Sequence, residues 1–183
     1  MDQTLTVQRP WTGRLRDDRA AAAALAIFVL SAATIAGAWY FQLVLKLWPC
    51  PLCLEERIAY YVIVPLSLLL AIAALARVPH NLVIAGLIAI AIAALCNAVL
   101  GTYHAGIEWH FWAGPTDCSG PLTDIKAGGS LLNQLQSPSI NVVRCDEAAW
   151  RFIGISLAGY NVLISLFLAA VAAYALCGRR QAD

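Results

Sequence analysis

Four stretches without a single Asp, Glu, Lys or Arg constrain this chain more than any other feature: residues 20–45, 58–76, 81–103 and 152–178. A helix crosses the roughly 30 Å hydrocarbon core of a bilayer in about 20 residues, so each run is close to spanning length or longer. The runs are continuous rather than alternating, which favours helices over barrel strands, because in lipid a helix satisfies its own backbone hydrogen bonds. With 61% hydrophobic and 13% charged residues and a mean hydropathy of +0.71, a water-soluble globule is excluded. The expected fold is an all-α membrane protein, a four-transmembrane-helix bundle forming one domain over residues 1–183. Its expected external loops are residues 46–57 and 104–151. Arg14, Arg16 and Arg19 ahead of the first run, with Ala36-Gly37-Ala38 inside it, also resemble a cleaved signal peptide. The run is long for that, and it continues through Trp39, Tyr40 and Phe41, residues suited to a membrane interface, so it reads as a retained span.

Four spans put both termini on one side. That side carries Arg9, Arg14, Arg16, Arg19, Arg77, Arg179 and Arg180 in short segments, against Lys46, Arg57, Lys126, Arg144 and Arg151 spread over two longer loops opposite. The positive-inside rule then makes the termini cytoplasmic. Cys50, Cys53, Cys118 and Cys145 fall in the external loops, whereas Cys96 and Cys177 lie in the third and fourth spans and read as small buried hydrophobes. Disulfides persist in oxidising compartments, so the external four are the candidates for disulfide chemistry. In the longer loop, Glu108-Trp109-His110-Phe111-Trp112 suits the headgroup zone. Residues 123–136, with Leu131, Leu132 and Leu135 at helical spacing, suit a short amphipathic surface segment.

Cys50-Pro51-Leu52-Cys53 is a C-x-x-C element at the mouth of the second span. Such spacing serves redox dithiols, and also half of a zinc site or a simple staple. If the helix begins near Cys53, its N-terminal field favours a thiolate there, and Arg57 falls four residues on along the same face; Glu55 and Glu56 oppose them if they approach the sulfur. Arg57 has a plainer reading as an interfacial snorkelling residue or a partner of Glu56. Cys118 and Cys145, with 26 residues between them, are compatible with a disulfide closing a loop, which as a pure staple contributes about 3–4 kcal/mol. A second pair on the same face as a C-x-x-C instead suggests thiol exchange from one pair to the other. A four-cysteine zinc site is disfavoured by the wide second spacing, and a c-type haem by Leu54 where His follows the motif. His104 reads as a ligand, a proton carrier or an interfacial histidine.

Trp48-Pro49-Cys50-Pro51-Leu52-Cys53-Leu54-Glu55-Glu56-Arg57 resembles the motif of the disulfide-bond-formation protein B family, DsbB. Tyr103-His104-Ala105-Gly106-Ile107-Glu108-Trp109 leading to Cys118, then Arg144-Cys145-Asp146 with Trp150 through Asn161, agree with that family in order. The resemblance covers residues 39–161. It implies a bacterial inner-membrane enzyme that reoxidises a periplasmic thioredoxin-fold dithiol oxidase, DsbA, and passes the electrons to ubiquinone or menaquinone. By the same resemblance Cys118 forms the mixed disulfide with the partner and Cys145 completes that pair. Cys50 then receives electrons from the loop pair, and Cys53 faces the quinone. Arg57 stabilises the Cys53 thiolate and polarises the quinone, and His104 lies near its ring. One departure is Glu55, where many members carry an aromatic residue.

Overall fold

Long uncharged runs form helices here, and what varies is where each helix begins. The computed structural model describes residues 11–115 and 145–177; the expected amphipathic segment at 123–136 and Cys118 lie outside them. Among the described residues the helices are α1 (Trp11–Leu43), α2 (Pro51–Leu75), α3 (His80–Glu108) and α4 (Leu157–Cys177). Each holds a segment long and apolar enough to cross a membrane, the shortest being the 21 residues of α4, about 31 Å of helix. The chain is a multi-pass membrane protein.

The start of α2 departs from the sequence reading. Charge placed the span boundary at Ile58, but the helix starts at Pro51, with Cys50 as its N-cap. Proline is pre-set for the first helical position, where its missing N–H costs nothing. The cysteine motif and Glu55-Glu56-Arg57 therefore belong to the helix rather than to a loop before it. α4 starts later than expected, because Arg151–Phe152 and Ile155–Ser156 pair as a two-stranded antiparallel hairpin, β1 and β2. Its two-residue turn is Ile153 and Gly154, both at positive φ (52° and 80°), as a tight hairpin with right-handed twist requires.

α1 packs chiefly on α2 and α3 on α4, and the α2–α3 contact joins the pairs. Small residues such as Ala24, Ala74, Ala94 and Ala172 lie buried between helices and let the backbones approach. Gly101 of α3 shows how closely: a Cβ there would stand 3.0 Å from the Asn161 amide and 3.0 Å from a Val162 methyl on α4. The outer face carries Leu69, Ile72, Leu82, Val99 and Phe167, while Glu56, Asn97, His104, Asn161 and Ser165 are buried inside. This inversion suits hydrocarbon around the bundle. Cys96 and Cys177 are exposed rather than packed between helices, a correction to the buried reading. At the end where the loops emerge, Phe41, Trp150 and Phe152 form a chain of ring contacts at 5.5 and 5.7 Å, as in an interfacial aromatic belt.

Candidate active site

Cys50 and Cys53 are one helical turn apart at the N-terminus of α2, with their Sγ atoms 2.8 Å from each other. The Cys53 backbone N–H donates to Cys50 Sγ at 3.2 Å, so the side chain that caps the helix is a sulfur. The sequence reading gave the helix N-terminal field to Cys53. Because α2 starts at Pro51, the field acts on Cys50 instead. The hydrogen bond with the Cys53 side chain lowers the Cys50 thiol pKa. Burial opposes the shift and the Cys53 backbone N–H assists it. The helix N-terminus and the Cys53 side chain thus favour the Cys50 thiolate.

Cys145 is buried in the same small cluster as Cys50, Leu52 and Ile107, and it is disulfide-bonded. The fold therefore brings a third expected redox cysteine to the C-x-x-C element. Its expected partner, Cys118, lies outside the described residues.

His104, on α3, reaches both sides of this arrangement. Its Nε2 lies 3.6 Å from Cys50 Sγ and its Nδ1 2.7 Å from Glu56 Oε1. The sulfurs and Nε2 fall within 4.8 Å of one another, as metal ligands can. Tetrahedral zinc, however, holds two thiolates about 3.8 Å apart, and 2.8 Å between the sulfurs suits a dithiol poised to close. The other Glu56 oxygen accepts from Asn161 Nδ2 at 2.9 Å. Asn161 Oδ1 in turn accepts from Tyr60 Oη at 2.6 Å and from Asn97 Nδ2 at 3.1 Å, and Asn97 Nδ2 also donates to Ser165 Oγ at 3.0 Å. Three helices thus share one buried polar network. One turn after His104, Glu108 is buried with its Oε2 unpartnered among the described residues.

Beside the dithiol a cavity of about 250 Å³ opens between α1, α2 and α4. Cys53, Glu56, Arg57, Tyr60 and Asn161 contribute its polar wall; Phe41, Trp48 and Ile164 are among the apolar remainder. Arg57 is fixed there by donating to Gln42 Oε1 at 2.6 Å and to the Ala38 carbonyl at 3.2 Å, with its guanidinium carbon 5.9 Å from the Trp39 ring centroid. Such a site suits a flat, lipid-soluble molecule with polar oxygens, for which Arg57 supplies donors.

Of the expected site residues, Cys50, Cys53 and His104 meet directly and Arg57 shares the cavity wall with Cys53. His104 is not on that wall; it touches the cavity's edge only through Glu56. Sequence reasoning missed Glu56 as the carboxylate partner of His104, and with it Tyr60, Asn97, Asn161 and Ser165. Asparagine inside an apolar span was the available signal, since polar side chains at membrane depth mark interior, working positions.

Comparison with known proteins agrees with this geometry. The family model for disulfide bond formation protein DsbB matches residues 20–175. A disulfide bond formation protein B of Nitrosospira multiformis is 30% identical over 171 residues, covering 86% of this chain and 91% of its own. One from Nitrosococcus oceani is 28% identical, covering 79% and 83%. An uncharacterised protein of Rickettsia prowazekii is also 28% identical, covering 84% and 86%. No solved structure gave a significant match.

Proposed function

The chain belongs to the DsbB family of membrane thiol oxidoreductases that form disulfide bonds, and on that premise we propose that it reoxidises a periplasmic DsbA-like dithiol oxidase and passes the electrons to a membrane quinone, ubiquinone or menaquinone. The observation that carries this reading is a C-x-x-C dithiol of which Cys53, but not Cys50, borders an apolar cavity within the bundle. A two-electron acceptor from the lipid reaches Cys53, while thiols outside reach Cys50 through the Cys145 disulfide.

In this reading the reduced partner attacks Cys118, and Cys145 is released as a thiol. Cys145 then attacks the Cys50–Cys53 disulfide at Cys50, beside which it is packed. Once the mixed species resolve, the Cys50–Cys53 dithiol holds both electrons. A quinone supplies oxidising power when bound. Arg57 would hold one of its oxygens and Cys53 would deliver the electrons. The driving force is needed, because the DsbA couple lies near about −120 mV, far more oxidising than thioredoxin at about −270 mV. The enzyme sits in a bacterial inner membrane with its cysteine loops periplasmic.

The test is to mix the purified protein with a reduced DsbA-like partner and ubiquinone while following both species, with Cys53→Ser alongside. Quinone reduction in step with partner oxidation, and an inert variant, is the expected result. Partner exchange with the quinone left oxidised would overturn the acceptor. Absence of both reactions would return the Cys118–Cys145 pair to a structural staple.

A further inference from the structure

Closing the Cys50–Cys53 disulfide breaks two S–H bonds and forms one S–S bond. Two electrons and two protons leave, and the acceptor needs both. Cys53 borders the cavity, so its proton has a short way to go. Cys50 does not border it, is 1% exposed, and sits with its sulfur against His104. Its proton needs a path.

We infer that His104 and Glu56 form that path, carrying the Cys50 proton from Sγ through the imidazole to a carboxylate at the cavity wall. The inference deepens the quinone reading above and rests on it for the final acceptor. With Glu56 taken as ionised, the hydrogen-bond pattern assigns the direction. An ionised carboxylate only accepts, and Glu56 Oε1 and Oε2 face His104 Nδ1 at 2.7 Å and Asn161 Nδ2 at 2.9 Å. His104 therefore carries its proton on Nδ1 and presents the Nε2 lone pair to Cys50 Sγ, 3.6 Å away. Proton transfer from Sγ to Nε2 moves the Nδ1 proton to Glu56 Oε1. Glu56 lines the cavity and gives that proton to an oxygen of the acceptor, while the electrons leave through Cys53. At the end Glu56 is ionised again, both thiols are in the disulfide and both protons are on the reduced acceptor; His104 is left as the Nε2–H tautomer and regains its Nδ1 proton by ring flip or proton exchange before the next turnover. Asn161 is a positioning residue, held by Tyr60 and Asn97 so that Glu56 stays aimed at the imidazole.

An acid and a histidine buried within a membrane bundle are costly to keep, and the path gives both a task. Glu56→Gln and His104→Gln test it, since each keeps a similar reach and hydrogen-bonding capacity but cannot ferry the proton. Each is expected to slow quinone reduction about a hundredfold, the scale of a lost acid–base group, and the double variant no further than either single one. The first exchange, attack of the reduced partner on Cys118, involves neither residue and is read separately, so a general loss of folding is told apart from loss of the path. A second readout uses quinone-free protein, in which no acceptor takes the proton on from Glu56: when an added disulfide reagent oxidises the dithiol, the infrared difference spectrum contains the carboxylate-to-carboxylic-acid change of Glu56, and this change is absent in both Glu56→Gln and His104→Gln. Wild-type quinone rates in the folded variants, or no Glu56 band in the wild-type spectrum, would overturn the path. Should Glu56→Gln not fold, His104→Gln decides alone. If the wild-type protein shows the infrared coupling and reduces no quinone, the acceptor reading fails and the Cys50–His104–Glu56 coupling stands.

Discussion

Cys50 acts at once as a helix cap and as a thiol, and the two roles make its chemistry predictable. Its sulfur receives the Cys53 backbone N–H and lies against the Cys53 side chain. The side-chain bond is the largest influence lowering its pKa. In protein whose other cysteines are replaced by alanine, Cys53→Ser keeps a donor and Cys53→Ala removes it. The Cys50 thiolate, followed by its ultraviolet absorbance, is expected to persist to lower pH with serine at 53 than with alanine. The sign follows from the bond: a donor to sulfur favours the anion, and without it burial acts to raise the pKa. Coincident titrations would remove the Cys53 side chain as the cause. At Arg57 the expectation is different in kind. The guanidinium is tied to Gln42 and Ala38 on α1 and borders the cavity away from His104. Arg57→Met should therefore raise the KM for quinone roughly tenfold, about 1.4 kcal/mol of lost binding, and leave partner exchange unchanged. Equal loss in both steps would make Arg57 a structural residue of the α1–α2 contact.

At the scale of elements, the α3–α4 contact holds the active-site network together. Gly101 is where the helices come closest, and the group that a Cβ would meet is the Asn161 amide that steadies Glu56. Gly101→Leu is expected to cost about 1–3 kcal/mol by overpacking, read as a lower thermal midpoint in detergent, and to slow quinone reduction by disturbing Asn161. An unchanged midpoint would mean that α3 and α4 separate freely there. The four helices were legible in the sequence because hydrocarbon demands long uncharged runs, and α3 and α4 differ from expectation only at their ends. Local chemistry hid more than the spans did. Charge bounded the uncharged span at Ile58 and the helix was expected to begin near Cys53, yet it begins at Pro51 and carries Glu56 onto an inward face. The cysteines and His104 were visible as residue types at a suggestive spacing. The bond from His104 to Glu56 joins positions 48 apart, and the bond from Glu56 to Asn161 joins positions 105 apart. Sequence periodicity does not encode which inward faces will meet, so neither pairing was readable before the helices were packed.

For the molecule as a whole, the decisive question is which compartment sees the dithiol end. Both sides carry basic residues, and the count alone favours cytoplasmic termini by seven to five. The fold sharpens the comparison. Of the five on the opposite side, Arg57 lies within α2 and is directed to Gln42 and Ala38 on α1, so it acts as part of the bundle rather than as loop charge. The set on the side of the termini is clustered near the ends of spans, at Arg14, Arg16 and Arg19 before the first and at Arg179 and Arg180 after the last, where positive charge weighs most in setting orientation. A green fluorescent protein fused after Asp183 is expected to fluoresce, and an alkaline phosphatase fused at the same place to be inactive, because the phosphatase needs an oxidising compartment for its own disulfides. The opposite pair of results would place Cys50, Cys53 and Cys145 in the reducing cytosol. A disulfide generator facing that compartment would have its product undone by the thiol pool, so the same two fusions test the orientation and the compartment on which the proposed activity depends.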